Sequence, residues 1–178
     1  MISARARPWM ILAGLALGVT VTNGFARFAY GLILPAMKSE LHWTYAQSGW
    51  LNTANAMGYI IGAIVTMVLI GRRSPTLLFA FGLITTTIAL LATGLNAALW
   101  WQTLWRFLAG LFGAMSFSTA GALAAGLFKD SPRQNTLAIG ILFGTGGGVG
   151  IVLAGAALPV MLDHYGNSSW PMAWGGIG

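Results

Sequence analysis

Five apolar runs, each longer than a bilayer is thick, leave this chain no soluble way to fold. They cover about residues 9–37, 45–70, 76–97, 99–128 and 137–162. Each exceeds the ~20 residues that a helix rising ~1.5 Å per residue needs to cross ~30 Å of hydrocarbon. A further apolar stretch begins near residue 169 and reaches Gly178, roughly half a span. Hydrophobic residues make up 57% and charged residues 7% of the chain, against ~25% charged in an ordinary soluble domain. The predicted fold is an all-α membrane bundle of five transmembrane helices plus the start of a sixth. Residues 1–178 form one unit with short connections, so consecutive helices are antiparallel neighbours.

The net charge of +6 is a topology signal and not a nucleic-acid face. Arg5 and Arg7 precede the first run, Arg72 and Arg73 follow the second, and Lys129 and Arg133 follow the fourth. Only Lys38 lies in an opposite-side connection. Cationic residues concentrate in cytoplasmic loops, so the N-terminus and these connections are predicted to be cytoplasmic. The apolar character of the first run continues past the length of a signal-peptide core, which predicts a retained helix. Ser74-Pro75 and Ser131-Pro132 predict helix starts, with a capping hydroxyl before a Pro in the first turn.

Two cations remain inside spans, Arg27 and Arg106. A central Arg costs about 2.5 to 3.5 kcal/mol on insertion scales, which the apolar residues of a long run outweigh. Insertion therefore explains their tolerance and not their presence. Thr20, Asn23, Arg27 and Tyr30 recur at spacings of three and four, one helical face. The second run carries Ser48, Asn52, Asn55, Tyr59 and Thr66, and the fourth Gln102 and Arg106, continued by Gly110 and Gly113. Lipid cannot satisfy such groups, so they are predicted to face a bundle interior or a wet cavity. Asn23, Arg27, Tyr30, Asn52, Asn55, Tyr59, Gln102 and Arg106 are the candidate cavity-lining residues. The bland readings are that Arg106 snorkels to the outer interface, that Arg27 pairs structurally with carbonyls or Asn side chains, and that Asn52 and Asn55 are interhelical hydrogen-bond glue.

The acids are Glu40, Asp130 and Asp163, all at span ends or in connections. An arginine at membrane depth with no resident carboxylate suggests an anionic partner such as a carboxylate-bearing solute. No Cys is present, which removes thiolate chemistry, and no metal or cofactor is called for. Gly144, Gly146, Gly147, Gly148 and Gly150 lie inside an apolar run, follow no strand and lack a Lys-Ser/Thr ending. They are predicted to serve close helix packing or gating and not phosphate binding.

Several motifs then resemble the major facilitator superfamily of secondary transporters. Arg106-Phe-Leu-Ala-Gly110-Leu-Phe-Gly113 is similar to the family's fourth-helix motif, an Arg followed by spaced glycines. The glycine-rich fifth run resembles its fifth-helix motif, and Gly62 with Arg72-Arg73 resembles its cytoplasmic loop motif. Gly24-Phe-Ala-Arg27-Phe28-Ala-Tyr30-Gly31-Leu-Ile-Leu34-Pro35-Ala-Met37 resembles the YbfB/YjiJ-like bacterial branch. The resemblance implies the N-terminal half-bundle of a twelve-helix transporter in the bacterial inner membrane, partnered by a C-terminal half. It also implies that the first and fourth helices line the central cavity, towards which Arg27 and Arg106 would then lie.

The function predicted from residues and resemblance together is alternating-access transport of a small solute, an organic anion by the charge pattern. On this reading the chain is a fragment inactive alone. The alternative is a non-transporting membrane subunit whose polar stripes are buried against protein. No nucleophile, metal cluster or carboxylate pair stands at membrane depth, so an enzyme is not predicted.

Overall fold

The computed structural model describes residues 6–178, and Arg5 lies outside the described residues. Helix α1 spans Arg7–Glu40 with a π-helical middle section, Thr20–Ala29. Helices α2 (Tyr45–Leu69), α3 (Pro75–Thr93), α4 (Leu99–Ala125) and α5 (Pro132–Tyr165) follow. A 3-10 turn, Asn167–Ser169, leads into α6, Trp170–Ile177. Among the described residues there is no β-strand. The first five helices are long and apolar enough to cross a membrane; even α3, with 19 residues, rises ~28 Å.

Local chemistry sets the helix starts. Pro75 and Pro132 occupy first-turn positions, where a missing N–H costs nothing. The Ser74 and Ser131 hydroxyls make no capping hydrogen bond, contrary to the sequence expectation. The Pro that follows each already fixes the first turn. The one reciprocal cap among the described residues is at α2. There the Thr44 hydroxyl accepts from the Gln47 N–H at 3.2 Å, and Gln47 Oε1 accepts from the Thr44 N–H at 2.9 Å.

Helix α4 runs through the middle of the bundle, and glycines let its neighbours approach. A Cβ on Gly58 or Gly62 of α2 would strike the Phe107 or Leu111 carbonyl oxygen of α4. One on Gly110 would strike the Asn55 carbonyl in return. Gly82 of α3 leaves the same room for Phe112 and Ser116. On the other flank, α1 meets α5 where Gly24 and Gly150 face each other backbone to backbone. Van der Waals contact at such small residues is the main source of helix association where lipid is as apolar as the side chains. Gly144 and Gly148, predicted as packing glycines, have no atom within 4 Å of an added Cβ, because they project from α5 away from α1.

Two apolar cores result. One gathers Ile33, Met37, Leu90, Leu158 and Trp174 where α1, α3, α5 and α6 meet. The other joins Leu12, Val19, Ala120 and Leu142 towards the opposite end. Arg7, Arg72, Arg73, Lys129 and Arg133 all sit at that opposite, basic end of the bundle. Exposed apolar faces remain on α2 (Ile60, Ile64, Met67) and α5 (Val149, Val152, Val160).

Candidate functional site

The π-helical section of α1 organises the site. Its carbonyls are bonded differently from those of an α-helix, and side chains brace it from three sides. Thr20 Oγ1 donates to Ala16 O at 3.0 Å and to Gly146 O of α5 at 2.8 Å. Thr22 Oγ1 donates to Gly18 O at 2.9 Å, and Arg106 Nη1 of α4 donates to Ala26 O at 2.8 Å. Because a π turn carries more residues than an α turn, the stripe Thr20, Asn23, Arg27, Tyr30 does not stay on one face. Thr20 and Tyr30 are buried, Asn23 is half-buried and Arg27 is exposed.

Arg27 therefore projects to the open side of α1. Its guanidinium carbon lies 4.8 Å from the Tyr59 ring centre and 5.9 Å from that of Phe28. Beside it, a groove of about 410 Å³ between α1 and α2 is lined by Arg27, Phe28, Tyr30, Gly31, Leu34, Ser48, Gly49 and Asn52. Gly31 and Gly49 form its bare floor, with nothing within 4 Å of an added Cβ. The groove continues through Leu34, Ser48 and Gly49 to Lys38, whose ammonium sits 4.0 Å from the Tyr45 ring centre. Both cations of this face lie on α1, and none of the chain's 3 acids lines it. A larger groove of about 600 Å³ lies between α2 and α4, but its walls (Trp50, Met57, Trp100, Phe107 among them) carry no charge.

Arg106 is placed quite differently. It is fully buried, with its guanidinium carbon 4.6 Å from the Tyr30 ring centre and 5.4 Å from that of Trp174. Nη1 holds Ala26 O, while Nε and Nη2 have no partner. Gln102, one turn earlier, is also buried and donates from Nε2 to Thr93 O at 2.7 Å and Asn96 O at 2.6 Å. Asn55 is buried and donates to the Arg106 carbonyl at 2.9 Å. These three candidates stand inside the helix contacts and not in the groove: α1 and Trp174 of α6 cover Arg106, the end of α3 covers Gln102, and α4 covers Asn55. The polar set of α2 divides between two helical faces. Asn52 and Tyr59 share the open edge, whereas Ser48, Asn55 and Thr66 share the buried one. Tyr30 lies between the two environments: it lines the groove but is buried, and its hydroxyl donates to Ser48 O at 2.8 Å.

Among the described residues, no three His, Asp or Glu side chains converge as a metal site.

Over residues 19–178 the chain matches the family described as "Uncharacterised MFS-type transporter YbfB". The chain belongs to this YbfB-like family of the major facilitator superfamily. Its family and the named relatives are transporters and not enzymes, and this YbfB-like protein is an integral membrane protein of that helical type. It is similar to the tetracenomycin C resistance and export protein of Streptomyces glaucescens. The two are 29% identical over 150 residues, covering 80% of this chain and 26% of that one. It is also 30% identical over 163 residues to a Haemophilus influenzae protein provisionally named for metabolite transport, covering 89% of this chain and 38% of that one. The chain thus spans well under half the length of these curated relatives. No solved structure matches it.

Of the family-motif residues, Gly62 lies in the α2–α4 contact. Arg72 and Arg73 are exposed past the end of α2, with their backbone N–H groups turned back onto Leu69 O at 2.8 and 2.9 Å. Gly113 approaches Thr22 O, Gly146 approaches Ala16 O and Val19, and Gly147 approaches the Asn23 amide. Sequence reasoning missed Lys38 and Phe28 as groove residues. Lys38 falls eleven residues after Arg27, three helical turns and so the same face, which was the available signal.

Proposed function

We propose that this bundle is one half of a secondary transporter working by alternating access, and that Arg27 contacts a small organic anion in its solute path. The observation that carries the reading is the exposed Arg27 guanidinium at membrane depth, in a groove with a second cation and no acid. A bare charge facing lipid is costly, whereas one bordering an aqueous path and a carboxylate is satisfied there. A partner half supplies the other wall of that path. This fits the greater length of the relatives and the apolar faces left open on α2 and α5. The relatives' names, export of tetracenomycin C and transport of a metabolite, support a small-molecule solute. The basic end faces the cytoplasm and the N-terminus with it, by the positive-inside rule, and the bacterial relatives support an inner membrane. A purely structural role suits Arg106, Gln102 and Asn55, all enclosed by protein, but gives no account of Arg27.

The test is uptake of small organic anions by proteoliposomes holding the chain with its partner half. Arg27→Ala is expected to lower uptake at least ~tenfold, with Arg27→Lys intermediate because an ammonium keeps the charge but loses the bidentate fork. Unaltered handling of an identified anionic substrate by Arg27→Ala removes the reading.

A further inference from the structure

Beyond the groove, Arg27 begins a series of contacts that draws on four helices. Its guanidinium stands over Tyr59 of α2 at 4.8 Å. The Tyr59 ring lies 6.4 Å from that of Phe117 of α4, and Phe117 lies 4.9 Å from Phe143 of α5, both tilted. One turn on from Phe143 is Gly147, where an added Cβ would stand 3.3 Å from the Asn23 amide nitrogen. Asn23 precedes Arg27 by four residues, so the series returns to the helix on which it began.

Its members divide by chemistry. One arc is polar, with the guanidinium and the amide on α1. The other is three aromatic rings in sequence, each reached from the last. Phe143 is 37% exposed and Tyr59 and Phe117 are half-buried, so the rings are not sealed in a core. Gly121 makes room for the edge of Phe143, since a Cβ there would meet the ring at 3.0 Å. Gly147 keeps the α5 side beside Asn23 free of a side chain. A row of tilted rings offers faces and edges to a flat π system, and the gain exceeds that for an aliphatic body of similar area.

From this arrangement we infer that the solute is an aromatic anion. Its carboxylate sits on Arg27 beside the Asn23 amide, and its planar body lies against Tyr59, Phe117 and Phe143. The inference rests on the anionic-solute reading above and narrows it to one chemical class.

The test is saturable binding to the chain assembled with its partner half in lipid nanodiscs, after subtraction of uptake by empty nanodiscs. The probes are 2-naphthoate, decanoate and uncharged 2-naphthalenemethanol. Naphthoate is expected to bind about tenfold more tightly than decanoate, the order of effect that two ring contacts supply. Phe117→Leu combined with Phe143→Leu should weaken naphthoate more than decanoate and bring the two carboxylates within about threefold. Arg27→Gln should weaken both. Equal binding of the two carboxylates, or a preference that survives the double Leu variant, overturns the aromatic inference. If both carboxylates still depend on Arg27 in that case, the anionic reading stands without it. Saturable binding of the alcohol but of neither acid overturns the anionic reading and the aromatic-anion inference with it. Failure of all three probes overturns both.

Discussion

Arg27 and Arg106 occupy the same short sequence, Arg-Phe-x-x-Gly-Leu, yet the bundle treats them as opposites. Arg27 is exposed over Tyr59, and Gly31 four residues on meets nothing. Arg106 is fully buried, donates to Ala26 O and stands under Tyr30 and Trp174, and Gly110 four residues on is pressed against the Asn55 carbonyl. The local sequence is the same, so the difference lies in what surrounds each helix. Helix α4 is enclosed by α1, α2, α3 and α5, with Trp174 of α6 over Arg106, whereas this part of α1 has one face without a neighbour. The two residues are also coupled. Arg106 fastens the Ala26 carbonyl, and the next residue along α1 is Arg27. The buried cation thus holds the turn that aims the exposed one.

The largest effect expected from breaking this pairing is at Arg106. Arg106→Ala empties a volume bounded by Tyr30 and Trp174 and releases Ala26 O inside the π-helical section. Together these should cost about 2–4 kcal/mol, read by equilibrium unfolding in mixed micelles. Arg106→Met fills most of that volume and removes two unpartnered nitrogens, so it should recover most of the loss. A stable Arg106→Ala bundle would show that the guanidinium braces nothing.

The matched glycines give the next largest contrast. Gly110→Ala drives a methyl into the backbone of α2, where no flexible side chain can move aside, and should cost about 1–3 kcal/mol. Gly31→Ala places the same methyl in open space on a helix, where the propensity gain over Gly is up to ~1 kcal/mol. The two variants should therefore shift unfolding in opposite directions. A similar loss from both would mean that α1 packs against something at Gly31.

The spans were legible in sequence because continuous apolar length needs no tertiary context. Their ends were less so: α3 stops at Thr93 and α4 at Ala125. Both apolar runs continue a few residues into the following turns, through Leu95 and Phe128. The polar residues at membrane depth were also legible, but not their directions. A uniform spacing of three and four assumes an α-helix, and the π-helical section over Thr20–Ala29 breaks that assumption just where Arg27 sits. Among the glycines of α5, sequence could not separate Gly146, Gly147 and Gly150, which meet α1, from Gly144 and Gly148, which meet nothing. Phe117 and Phe143 gave no signal, since a phenylalanine in contact with another ring reads in sequence like one facing lipid.

The smallest change in stability is expected at Arg27, and its smallness is what the comparison requires. The exposed guanidinium makes a cation–π contact with Tyr59, worth ~0.5–1 kcal/mol at an accessible site. Removing it also relieves some of the cost of holding a charge at membrane depth. Arg27→Ala should therefore leave unfolding within about 0.5 kcal/mol of the parent chain, while removing the anion contact proposed above. A loss as large as that of Arg106→Ala, in the same micelles, would make Arg27 a second brace. The groove would then have a cation for packing reasons alone, and its claim on a solute would fall with that result.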